Sequence, residues 1–146
     1  MEDKNTIPEA WVAFCYPSTI GDSDLSSSFQ HPAVMLTNFC REDTQTLYIT
    51  AGMVFASEKP YIVRVDIFFN GESVTQKDDG SLGKLKSSFL KDNKLGQLVV
   101  VSSMELPNVN LSREGVYRAV VEIHECDGEQ KPAKEVASKD CLFVVC

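Results

Sequence analysis

The chain has 146 residues, is 43% hydrophobic and 24% charged, and carries a formal net charge of −7. That length suffices for one self-supporting core, and the composition is that of a globular protein rather than a disordered or fibrous one. An acidic chain without a basic stripe argues against nucleic acid or an anionic membrane as the main partner.

The first residues are acidic and lack a long apolar run, so no signal peptide is visible, and no stretch reaches the roughly 18 apolar residues of a membrane span. The cytoplasm is therefore the expected compartment. The C-terminal Phe143-Val144-Val145-Cys146 lacks the cysteine four from the end that prenylation needs. Five cysteines, Cys15, Cys40, Cys126, Cys141 and Cys146, are odd in number and have no framework spacing. They are expected to be reduced thiols, several of them buried. Cys141 and Cys146 would lie roughly 17 Å apart on one strand, too far to bridge, whereas Cys15, Cys40 and Cys126 stay open as partners for either.

In chain order, residues 9–16 form a first strand in which Val12, Phe14 and Tyr16 oppose Trp11, Ala13 and Cys15. Both rows are apolar, which suits a strand covered on both faces. Residues 17–32 are polar and serine-rich with proline at each end, and read as a long loop. A second strand is expected over 33–40 and a third over 47–55, where Leu47, Ile49, Ala51, Met53 and Phe55 share a face. After the turn at 57–60, Tyr61, Val63, Val65, Ile67 and Phe69 alternate without a break. The short connection suggests that these two strands form an antiparallel hairpin. Asn70-Gly71 marks a tight turn, because both positions tolerate positive φ.

Between residues 81 and 96 the period changes. Leu82, Leu85, Phe89 and Leu90 sit at helical offsets, predicting one short amphipathic helix around 83–92 with Lys84, Lys86, Lys91 and Lys94 on its solvated side. Residues 97–106 return to strand. Glu114-Gly115 punctuates a turn, after which Tyr117, Ala119, Val121 and Ile123 line one face and Arg118, Glu122 and His124 the other. Residues 126–132 read as a hairpin loop, and 135–146 as the last strand, ending in the apolar run Cys141 to Cys146. The expected core holds Leu47, Ile49, Val63, Val65, Ile67, Leu98, Val100, Tyr117, Val121 and Ile123.

A tyrosine two residues after a turn glycine, entering a strand with one buried face, resembles the tyrosine corner of the immunoglobulin-like β-sandwich superfamily. The resemblance implies a mainly β fold: an antiparallel two-sheet immunoglobulin-like sandwich of seven or eight strands, residues 1–146 forming a single domain with the one short helix. It implies no activity, because that architecture hosts many unrelated functions.

Residues able to carry chemistry are sparse. Only His31 and His124 could serve a nucleophile, and neither sits in a Gly-x-Ser-x-Gly elbow or a cysteine-protease signature. His124, Cys126 and Cys141 could approach one another, but no second short-spaced ligand pair completes a zinc site. No phosphate-binding or dinucleotide glycine pattern occurs, so no cofactor and no metal is expected. The expected function is non-catalytic: a protein-binding or oligomerisation module acting through loops or an exposed sheet edge, such as an accessory or inhibitor/immunity-type protein, with a protein partner or a second copy of itself. The candidate edge is Cys141, Leu142, Phe143, Val144 and Val145, where charge and proline, the usual guards against edge pairing, are missing. One row, either Cys141/Phe143/Val145 or Leu142/Val144/Cys146, should be buried, unless the strand near Trp11 pairs there and closes the sheet. The competing class is a small-ligand-binding protein or enzyme with a pocket near His31 or His124.

Overall fold

The computed structural model describes residues 8–18, 35–36, 45–56, 60–75, 84–92, 97–126 and 132–146. All regular elements among them are strands: β1 (Ala10–Ser18), β2 (Met35–Leu36), β3 (Gln45–Phe55), β4 (Tyr61–Phe69), β5 (Glu72–Ser73), β6 (Lys84–Asp92), β7 (Leu98–Val109), β8 (Gly115–Cys126) and β9 (Pro132–Val145). They make two sheets, one of order β1-β3-β7-β6 and one of order β2-β9-β8-β4-β5. No helix of the described residues is long and apolar enough to cross a membrane.

The period-two pattern of the sequence determines what lies between the sheets. Leu47, Ile49, Ala51 and Met53 of β3 and Val100, Met104 and Leu106 of β7 come from the first sheet. Val65, Ile67 and Phe69 of β4, Tyr117, Ala119, Val121 and Ile123 of β8 and Phe143 and Val145 of β9 meet them from the second. Of the expected core residues, Val63 and Leu98 are only partly buried and pack against this cluster; the other eight are buried in it.

Two expectations and one alternative need correction. Residues 84–92 form strand β6, antiparallel to β7, and not a helix. The register slips between Leu85 and Ser87, so positions 85 and 90, of opposite parity, pair with Met104 and Val100, which have the same parity. A bulge of this kind inserts one residue and inverts the alternation downstream, which produced the offsets that resembled a helical period. Local propensity is a weak preference that pairing with an existing strand overrides. Second, β3 and β4 do not pair: β3 lies between β1 and β7, and β4 between β8 and β5. A short connection excludes a parallel crossover, but it also allows the chain to step from one sheet to the other. Third, the Trp11 strand does not close the sheet beside the last strand; β1 pairs with β3 in the first sheet.

The Asn70-Gly71 turn signal held. Asn70 and Gly71 both have positive φ, 52° and 81°, and reverse the chain from β4 into β5. Asp66 secures this hairpin, accepting hydrogen bonds from the Ser73 hydroxyl at 2.6 Å, the Thr75 hydroxyl and the Ile67 amide. The residue 126–132 connection joins β8 and β9 as antiparallel neighbours.

Tyr117 organises the entry to β8. Its hydroxyl donates to the Arg113 carbonyl at 2.7 Å and accepts from the Arg113 amide at 3.3 Å. Its ring lies between Phe69 and Phe143, with centroids 4.6 and 5.6 Å away. Tyr117→Phe keeps the ring packing and removes only the hydroxyl, leaving a backbone amide and carbonyl without that partner. It is expected to cost about 1 kcal/mol. Urea unfolding checks this, and an unchanged midpoint would contradict a stabilising role for the hydrogen bond.

Candidate functional site

The run Cys141–Val145 divides by parity. Phe143 and Val145 enter the core, and Cys141 is partly buried on the same side. The buried row is therefore Cys141/Phe143/Val145. Leu142 and Val144 point away from the core and are 62% and 38% exposed. Directly paired residues of neighbouring strands project to one face. Leu142 pairs with Arg118, Val144 with Val116 on β8, and Val144 also with Met35 on β2. Val116 and Met35 are 55% and 57% exposed, so four large apolar side chains from three strands lie together on the outer face of the second sheet.

Charge borders this group. Arg118 reaches Asp140 at 3.6 Å, both about half exposed, and its guanidinium sits 5.2 Å from the centre of the Phe68 ring. Exposed single hydrophobics are ordinary, whereas a contiguous group with a polar rim marks an interaction surface.

The strand edge is partly occupied. β2 runs parallel to β9, its two described residues pairing with Val144 and Val145, and the Cys146 amide donates to the Leu36 carbonyl at 3.0 Å. Among the described residues no strand pairs with β9 on that side at Cys141, Leu142 or Phe143. The bordering element there is β1, from which the Cys15 thiol approaches the Lys139 carbonyl at 3.9 Å.

No protein-family model matches the chain, and no curated protein matches it.

His31 lies outside the described residues. His124 sits on the outer face of β8, at the opposite end of the strand from Val116, with Nε2 3.2 Å from Glu122 Oε1. Glu135, paired with His124 across β8 and β9, completes a group whose ligand atoms lie within 4.8 Å of one another. One imidazole and two carboxylates are donors suited to a divalent cation. His124 Nδ1 is buried without a hydrogen-bond partner. Cys141, considered with His124 on sequence grounds, pairs instead with Ala119 and faces the core. Glu135 was not legible as a neighbour, because the register shifts between Ile123 and His124. That shift moves Glu135 opposite His124, where uninterrupted alternation would have placed Val136.

Proposed function

We propose that the protein is a non-catalytic interaction module with an immunoglobulin-like β-sandwich fold, acting through the outer face formed by Met35, Val116, Leu142 and Val144. The observation that carries the reading is this exposed apolar group, drawn from three strands of one sheet face. Partners of two kinds fit: another protein, or a second copy of this chain. The second copy is favoured by Arg118 and Asp140, which bring both signs of charge to one border. A surface carrying its own complement can meet itself across a two-fold axis.

The immunoglobulin-like reading is supported by strand order. Lettered in sequence as A, A′, B, C, C′, D, E, F and G, the strands give A-B-E-D in one sheet and A′-G-F-C-C′ in the other. This agrees with the sandwich pattern in which B and E share one sheet and C, F and G the other. The Tyr117 hydroxyl bonded to Arg113, at the start of the strand lettered F, also agrees. The antibody-type cysteine and tryptophan pattern is not followed: Trp11, the single tryptophan, lies in β1, and none of the five cysteines lies in β3 or at a buried position of β8.

Leu142→Lys tests the surface. Leu142 is exposed, so the variant should keep the parent far-ultraviolet spectrum and urea midpoint. Self-association measured by sedimentation should weaken at least tenfold, as should co-purification of the native partner if the partner is another protein. A folded Leu142→Lys variant that associates as the parent does would sink the assignment. The second reading, a small-ligand-binding protein or enzyme near His124, draws on the Glu122–His124–Glu135 group. It is the weaker one, because the group lies on an outer sheet face and His124 already pairs with Glu122.

A further inference from the structure

The space between the sheets holds chemistry that the binding surface does not use. Cys15 of β1 pairs with Ala51 of β3, and Cys141 of β9 pairs with Ala119 of β8. Ala51 and Ala119 are fully buried core residues. Paired residues project to the same face, so each cysteine turns inward from its own sheet, and both pack against the core at its rim. Both are free thiols and half-buried. Stacked sheets ordinarily stand about 10 Å apart. Here they converge: Cys15 Sγ, on β1, stands 3.9 Å from the carbonyl oxygen of Lys139 on β9, two residues before the inward-facing Cys141.

We propose that Cys15 and Cys141 form an oxidative modification site, a thiol pair that a low-molecular-weight disulfide converts into a cystine joining β1 of one sheet to β9 of the other. In the first step Cys15 releases its proton to solvent, and its thiolate attacks one sulfur of the oxidant. The oxidant's sulfur–sulfur bond breaks, and one half leaves as a thiolate. In the second step Cys141 releases its proton to solvent, and its thiolate attacks the Cys15 sulfur, displacing the other half as a thiolate that takes up a proton. Two protein thiols are oxidised by two electrons, and one disulfide is reduced to two thiols.

The surroundings assign the order of attack. The hydrogen bond from Cys141 lowers the Cys15 thiol below its usual range against the opposing effect of burial. Lys139 adds to the lowering, and Asp140 opposes it. The same hydrogen bond, together with burial, holds Cys141 protonated well above its usual range. The thiolate is the attacking species, so Cys15 acts first and Cys141 resolves the mixed disulfide. The product would close almost the whole chain into one loop and fix β9, the strand that carries Leu142 and Val144. The pairing goes beyond the proposed binding function and does not depend on it.

The test uses the full chain with all five cysteines, treated with oxidised glutathione, alkylated and digested without reduction. Peptides linking Cys15 to Cys141 should form ahead of every other pair. The urea midpoint should rise on oxidation and return to its starting value with dithiothreitol. Cys15→Ser and Cys141→Ala should each abolish the shift, and Cys126→Ser should retain it. The peptide map of the parent protein decides the matter even if a variant fails to fold. Stable glutathione on Cys15 with Cys141 still alkylatable would overturn the proposal. So would linkage dominated by Cys40, Cys126 or Cys146, or an equal rise of midpoint in folded Cys15→Ser.

Discussion

Phe143→Ala is expected to lower the free energy of unfolding by about 4 kcal/mol, the range for removing a fully buried aromatic ring. Phe143 is 1% exposed, pairs with Tyr117 across β8 and β9, and stacks on its ring at 5.6 Å. Tyr117 in turn packs against Phe69 of β4. Truncation removes the outer ring of a three-ring row across β4, β8 and β9, and the rigid backbone of a paired strand gives the cavity little room to collapse. The next residue back, Leu142, points outward, so two adjacent residues of one apolar run should differ in kind: one sets stability and the other association. Urea unfolding with an unchanged slope checks the first. A loss below about 1 kcal/mol would mean that the ring is not held in a packed site.

The comparison between sequence and structure has a physical pattern. Uninterrupted alternation was readable: Leu47 to Met53, Val65 to Phe69 and Tyr117 to Ile123 are all buried as expected, because a half-buried strand imposes period two directly on composition. Asn70-Gly71 was readable because few residues accept positive φ. What failed depends on which strands pair and in what register. β6 was misread because its phase breaks at a bulge whose cause is pairing with β7. The pairing of β3 with β4 was misassigned because alternation identifies strands without saying which sheet receives them. The candidate site was half legible for the same reason. The run Cys141–Val145 stood out through its lack of charge, but the contributions of Val116 and Met35 required the register of β8 and β2. The approach of Cys15 to β9 at Lys139 required two different sheets to converge, which no local pattern encodes.

Gly115→Ala is expected to cost about 3 kcal/mol, mostly through the backbone. Gly115 opens β8 at φ 144°, a region that L side chains rarely adopt, while it pairs with Val145 of β9. A Cβ built there would stand 3.0 Å from Phe69 Cε2. Two terms therefore oppose the substitution. One is torsional strain, which the pairing with Val145 prevents the chain from relieving. The other is contact with a ring that also supports Tyr117 and carries the Arg113 guanidinium 5.1 Å from its centre. The terms separate in a double-mutant cycle with Phe69→Ala, which removes the ring and leaves the backbone demand intact. The cost of Gly115→Ala should then fall but stay near 2 kcal/mol, the typical strain of a side chain in a glycine-only region. A cost that vanishes with the ring would assign the whole effect to the contact and refute the torsional argument. A cost near zero in the parent protein would mean that the turn from Arg113 to Gly115 rearranges freely, and the Tyr117 hydroxyl could not then be the tie that holds it.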